Sequence, residues 1–335
     1  LLIIAHMNKQ SILQIENVYT AHAFQIGNKW YVAAGSETGP QVKLFDLKSG
    51  SSSLVSGCPG GVMSFIPAPG NPELFFSIMG LFPPFIGAEA GVFMHRISDG
   101  RWTTSKAMDL PFAHRCEVIS HHGNHYLFAA AVSKHKSNPA DWSKPGLTYV
   151  CELSGEPSHP LDPMLIDQGL TRNHGMLRAP IDGKERLCIS GAEGIFYFRQ
   201  EVDESWSKHM LFDREVSEFT FIDLDGDGQD ELVTIEPLHG EHLRIYKQLV
   251  EGWILKASTQ LSFGHGLSSG FVSGEPLIVV GNRRGSFALL MLRVEDLESG
   301  RFHEEVLEED AGPTQTQVFS SLGTDYILSA NQRKH

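Results

Sequence analysis

Two groups of residues in this chain have types and spacings that can do chemistry. The first is acidic: Asp223-x-Asp225-x-Asp227-Gly228-x-x-Glu231. Carboxylates at every second position can converge on one hard cation. The Gln229 carbonyl adds a further oxygen, and Gly226 and Gly228 let the backbone fold round the ion. An all-oxygen set of this kind selects calcium. The other reading is a solvated acidic turn without an ion. Apolar alternation flanks the motif on both sides, so it is expected as strand, loop, strand and not as the helix–loop–helix of an EF-hand.

The second group is imidazole. The chain has 16 histidines. His22, His114, His174 and His265 each precede a small residue near the end of an apolar run by 13 to 17 positions, and Gln317 stands in the corresponding place near the C-terminus. Convergent imidazoles suit Mn²⁺, Zn²⁺ or Fe²⁺, and the Gln317 amide oxygen could complete such a site. Without a metal, the same histidines can act as general base and acid near neutral pH.

The elements that must position these groups are β-strands. Period-2 alternation and short apolar runs dominate, separated by Gly, Pro, Asn, Asp and Ser. The runs repeat as four-strand units, at a mean period of about 48 residues. Seven such units predict an all-β fold, a seven-bladed β-propeller with four antiparallel strands to a blade. A six-bladed count is the alternative. The N- and C-termini are expected to close the last blade, with Ser11–Glu16 as its outermost strand and Leu1–Ala5 as a further strand. Residues 8–335 then make one propeller domain, and residues 1–7 are a tag remnant or an extra strand.

Propeller geometry puts the loops joining first to second and third to fourth strands on one face, and the other loops on the opposite face. The acidic loop falls on the lower face. The histidine ring falls at the upper mouth of the central channel. The upper loops add His135, His239 and His242 as candidate bases. Phe82 and Phe85 could stack on a sugar face. Trp142, flanked by Lys136 and Lys144, reads as a contact for a carboxylated sugar. Arg283 and Arg284 could clamp a carboxylate. For each loop a self-packed or solvated reading stands beside the functional one.

At Asp223-Leu-Asp-Gly-Asp-Gly-Gln-Asp-Glu-Leu-Val the chain resembles the FG-GAP/VCBS repeat propellers. The match covers one unit of seven, with a degenerate echo at Pro180-Ile-Asp-Gly-Lys-Glu-Arg. The resemblance implies a propeller and calcium at Asp223, Asp225, Asp227 and Glu231. Members of the family include adhesion modules and carbohydrate lyases or dehydratases of the aldos-2-ulose dehydratase type.

Composition excludes several classes. The formal charge is −13 and no basic stripe is present, so nucleic acid is a poor partner. No apolar run reaches the ~18 residues of a membrane helix. Cys58, Cys116, Cys151 and Cys188 form no CxxC pair, and three of them lie in apolar runs, which favours free thiols and a cytoplasmic location. A secreted mature chain is the alternative. No G-x-S-x-G elbow, phosphate-cradling loop or pair of upper-face carboxylates is visible. The expected function is therefore a metal-assisted enzyme acting on a sugar or oligosaccharide by proton abstraction: a lyase, dehydratase or epimerase. The alternative is a non-catalytic glycan- or protein-binding propeller with structural calcium. The sequence does not specify an oligomeric state.

Overall fold

The computed structural model describes residues 8–82, 87–153 and 160–333. Every regular element among them is a β-strand, and each strand pairs antiparallel with the next in its sheet. The first sheet is β1 (Val18–Ile26), β2 (Lys29–Ser36), β3 (Val42–Asp46) and β4 (Ser52–Ser56). The second is β5 (Ser64–Pro67), β6 (Leu74–Met79), β7 (Gly91–Ser98) and β8 (Arg101–Asp109). The third is β9 (Ala113–His121), β10 (Asn124–Ala131), β11 (Leu147–Glu152) and β12 (Met164–Asp167). The fourth is β13 (Met176–Ile181), β14 (Lys184–Gly191), β15 (Gly194–Gln200) and β16 (Trp206–Phe212). The fifth is β17 (Glu218–Ile222), β18 (Glu231–Glu236), β19 (His242–Leu249) and β20 (Gly252–Gln260). The sixth is β21 (Gly264–Val272), β22 (Glu275–Asn282), β23 (Leu289–Asp296) and β24 (Arg301–Glu308). The first strands of consecutive sheets pack side by side, and β25 (Pro313–Ser321), paired with β26 (Thr324–Asn331), returns to β1 and completes the ring.

The propeller therefore has six four-stranded blades and a seventh, two-stranded unit, which corrects the expectation of seven full blades. Ser11–Glu16 forms no strand. Its carbonyls are taken by side chains of the first sheet: Lys43 Nζ donates to Gln14 O at 3.0 Å, and Ser36 Oγ to Glu16 O at 2.6 Å. Its apolar side chains act as a wedge. Ile15 packs with Ala21, Ala34 and Ala330, and Ile12 and Leu13 pack where Val32 of the first sheet meets Phe319 and Leu328 of the seventh unit. Leu1–Ala5 lies outside the described residues.

The sequence pattern of each strand follows its place in the blade. The second strands are covered by neighbouring blades on both faces, so β6 and β18 are buried at every residue. The outermost strands are far less buried, as in β24, where Arg301, His303, Glu304 and Val306 are exposed. Close approach between blades requires glycine at one point. A Cβ on Gly35 would lie 2.5 Å from Val62 Cβ, at the start of the next unit.

Two features recur at opposite ends of the first strands. At the lower end, two-residue turns (His122-Gly123, Asp182-Gly183, Ser273-Gly274, Leu322-Gly323) have both residues at positive φ, the type I′ geometry that matches strand twist. In the fifth blade the acidic loop replaces this turn, since Ile222 pairs with Glu231. At the upper end the register slips by one residue: Tyr19, His114 and Thr314 are each the extra residue of a bulge, and His265 lies in the same slip of β21. His174 and Gly175 together oppose Ser190, as Met63 and Ser64 oppose Ile78, and Ser217 and Glu218 oppose Ile235. Bulges re-aim side chains. Here they produce one ring position per unit, occupied by Tyr19, Met63, His114, His174, Ser217, His265 and Thr314, all at 5% exposure or less.

Side chains close the seam between the last unit and the first. Gln317 accepts from Ala23 N at 2.7 Å and donates to Ala23 O at 3.1 Å, so its amide pairs with β1 as a strand backbone would. Gln315 Oε1 accepts from Ala21 N at 3.2 Å and from Thr20 Oγ1. Thr314 Oγ1 donates to Tyr19 O at 2.6 Å.

Candidate metal centre at the channel mouth

The bulge ring brings His114, His174 and His265 together, and the β18–β19 loop adds His239. The ring centroids of His114 and His174 are 4.6 Å apart, those of His174 and His239 5.0 Å, and those of His174 and His265 5.2 Å. One ring nitrogen from each of His174, His239 and His265 falls within a mutual distance of 4.8 Å.

The outer nitrogens of two of these rings face oxygen atoms. His265 Nδ1 lies 2.6 Å from Thr314 O, a carbonyl that can only accept, so Nδ1 carries the hydrogen. His174 Nδ1 lies 2.7 Å from Glu218 Oε1. His265 thereby turns Nε2 inward as a lone-pair donor, the arrangement in which an oxygen behind an imidazole fixes the tautomer of a metal ligand, and Glu218 stands in the corresponding place behind His174. His174 Nε2 and His239 Nε2 stand 3.4 Å apart. At that distance the two nitrogens can share a proton or hold a cation between them.

Burial disfavours the charged form of His114, His239 and His265. Burial, followed by the charge of His174, holds His114 well below the usual imidazole range, and His265 is lowered by burial and by His239. His239 is pushed down to about 3, mainly by burial. Neutral imidazoles are competent ligands at neutral pH without first losing a proton. The Tyr19 hydroxyl bridges the remaining pair, 3.1 Å from His114 Nε2 and 3.3 Å from His265 Nε2, and burial raises its pKa. His114 Nδ1 is buried with no hydrogen-bond partner among the described residues. The set therefore fits a divalent transition metal: three inward nitrogens, a locked second layer and a hydroxyl at the rim.

Glu218 is held by Arg115, whose Nη2 lies 2.6 Å from Oε1 and whose Nε donates to His174 O at 3.1 Å. Burial alone would raise the Glu218 carboxyl, but Arg115 and His174 outweigh it and hold the pKa at about 2. Arg115→Leu would leave this carboxylate without its cation, and stability is expected to fall by about 3–5 kcal/mol, read from the denaturant midpoint. Arg115→Leu combined with Glu218→Leu should recover most of that loss; if the double variant is no more stable than the single one, the pair is not coupled.

A second layer carries His239. Phe263 stacks on it at 4.7 Å, His265 stacks on it at 5.1 Å, and the Arg284 guanidinium lies 4.7 Å from the Phe263 ring. Leu238 N donates to Glu215 Oε1 at 3.4 Å, and Glu215 also receives Arg172 Nη1 at 2.8 Å, tying the His239 loop to the fourth blade.

Several expected participants lie elsewhere. His22 is three residues down β1 from the ring position held by Tyr19, so it lines the channel below the cluster with Glu117 and Gln317. That lower cavity has a volume of about 200 Å³. Burial lowers His22 to about 4 and raises Glu117 to about 7. Gln317 is committed to the β1 backbone and does not join the cluster. His135 is exposed on its loop, and His242 is at the start of β19 opposite Glu236, away from the cluster.

Arg283 and Arg284 do not form a clamp. Arg283 donates to Gln332, which donates in turn to Glu37, while Arg284 lies over Phe263. Trp142 is half-buried against the second- and third-blade core and covers the Lys136 ammonium, 3.3 Å from the ring centroid, with burial bringing that lysine down to about 8. Lys144 is exposed, and Phe82 packs against the same core. Phe85 lies outside the described residues.

Tyr19, Arg115, Glu218 and Phe263 were not anticipated. The signal for Tyr19 was present: Tyr19, His114, His174, His265 and Thr314 each stand 16 residues before Gly35, Ala130, Ser190, Gly281 and Ala330. His22 and Gln317 stand 13 before theirs, which marks a separate tier.

The acidic loop lies on the lower face. The side-chain oxygens of Asp223, Asp225 and Asp227 fall within 4.8 Å of one another. Asp223 spends both oxygens on loop amides, from Gly226 N at 2.7 Å and Gly228 N at 2.9 Å. The Lys247 ammonium contacts Asp225 and lies 2.8 Å from Asp227 Oδ2 and 3.6 Å from Glu231 Oε1. Gln229 is exposed and its amide N donates to Asp227 Oδ1 at 2.9 Å. As folded, the loop does not fit a calcium ion, because an ammonium stands among its free oxygens.

Compared with known proteins, the chain matches no family model and no curated protein sequence. No helix among the described residues is long and apolar enough to cross a membrane.

Proposed function

We propose that the channel mouth binds a divalent transition metal (Mn²⁺, Zn²⁺ or Fe²⁺) through His174, His239 and His265, and that the protein is a metal-assisted carbohydrate-active enzyme. The reaction class is lyase, dehydratase or epimerase chemistry by proton abstraction. The observation that carries this reading is the convergence of three imidazole nitrogens, with Glu218 behind His174 and Thr314 behind His265. A bound metal would supply Lewis-acid stabilisation of negative charge developing on a substrate oxygen. The chain supplies the proton handling. Tyr19, kept protonated by burial beside His114 Nε2, can offer its hydroxyl as a hydrogen-bond donor at the rim. Glu218 and Arg115 hold His174 in place. The flat faces of Phe263 and Arg284 beside His239 suit a sugar ring, and the guanidinium suits one that carries a carboxylate.

Metal analysis of the purified protein, followed by assay on uronate and neutral oligosaccharides, tests this. Stoichiometric transition metal with turnover supports it. Glycan binding with neither metal nor turnover would instead establish a binding module.

A further inference from the structure

We propose that Lys247 takes the place of a metal ion in the acidic loop, so that the fifth blade is braced by an ammonium of its own chain and is indifferent to calcium. This inference is independent of the channel site. Lys247 lies on β19, next to the strand that leaves the loop, and its side chain is 11% exposed.

The oxygens of the loop divide into two sets. Among the carboxylates of Asp223, Asp225, Asp227 and Glu231, both Asp223 oxygens, Asp225 Oδ1, Asp227 Oδ1 and Glu231 Oε2 are taken by backbone amides, the last by Leu224 N at 2.7 Å. Those left over are Asp225 Oδ2, Asp227 Oδ2 and Glu231 Oε1, and these are the three that Lys247 reaches. The ammonium is within hydrogen-bond distance of Asp225 and Asp227 and at ion-pair distance from Glu231. Glu231 is fully buried, and its Oε1 has no hydrogen-bond partner among the described residues, so the nearby ammonium is what offsets its charge. Calcium needs about six to eight oxygens at about 2.3–2.6 Å. To enter, it would have to expel the ammonium and recruit oxygens now spent on the loop's own amides.

The test uses calcium chloride alone as the probe, on the full chain. Thermal unfolding of the wild type in chelator and in millimolar calcium should give the same midpoint; an upward shift of about 4 °C or more in calcium overturns the proposal. Lys247→Met keeps the stem and removes the charge. It should lower the midpoint in chelator and make it rise with added calcium. A Lys247→Met protein that stays blind to calcium overturns the claim that the ammonium excludes the ion. If that variant does not fold, calorimetric titration of the wild type with calcium decides: no heat of binding supports the proposal, and saturable binding refutes it.

Discussion

His174→Ala is expected to strip the channel mouth of bound transition metal, with affinity falling by at least about 100-fold, and to abolish turnover with it. His174 is the hub of the cluster, in ring contact with His114, His239 and His265, and its Nδ1 rests on Glu218. Its Nε2 lies 3.4 Å from that of His239. Folding should survive, because the Arg115–Glu218 pair remains and the strand bonds of β13 do not pass through the ring. His22→Ala is the control. It lies in the lower tier, and its removal should leave metal content unchanged. A His174→Ala protein that retains wild-type metal content would sink the proposed centre.

The second large effect is on acid stability. His95 is fully buried: its Nε2 lies 2.7 Å from Ser77 Oγ, its Nδ1 2.9 Å from Thr104 Oγ1, and its ring stacks on Phe75 at 4.6 Å. Burial pushes its pKa from 6.5 down to about 3. Because the folded value lies below the unfolded one, the unfolded chain binds a proton first. Stability is thus full above pH 6.5 and falls as the pH drops toward 3. The slope from His95 alone is about 1.4 kcal/mol per pH unit. His22, lowered to about 4, acts in the same direction over a shorter range. Unfolding midpoints measured from about pH 8 to about pH 4 should therefore decline steeply in the lower half. His95→Gln should be less stable at neutral pH, yet flatter below about pH 6. An unchanged slope would show that His95 does not drive the acid transition.

The repeat was legible because a strand buried on both faces must read as an apolar run, as Leu127-Phe-Ala-Ala-Ala131 and Leu277-Ile-Val-Val-Gly281 do. The acidic motif marked the lower face correctly, because it substitutes for the two-residue turn of its neighbours. The incomplete seventh unit was not legible. Ser11-Ile-Leu-Gln-Ile alternates as a strand does, and a wedge of apolar side chains between two units uses the same alternation. Three histidines of the ring could be found from spacing. His22 was a false member because one bulge moves the ring position to Tyr19, and a tyrosine carries no imidazole signal. His239 enters through a loop, where no period constrains it. Glu218 and Arg115 depend on contacts across the channel between units 103 residues apart, which no local pattern records.

The seam sealed by Gln315 and Gln317 has a consequence for the order of events in folding. Its bonds join residues 294 and 295 positions apart, close to the full length of the chain. Loop-closure entropy places such contacts last in time, after the local hairpins of each sheet have formed. During synthesis, the amides of Ala21 and Ala23 must wait for the glutamines of β25 to emerge. Until then the first sheet is an open edge, and Tyr19 has neither His114 nor His265 fixed beside it. The histidine cluster thus gains its contacts to Tyr19 and Thr314 when the ring closes.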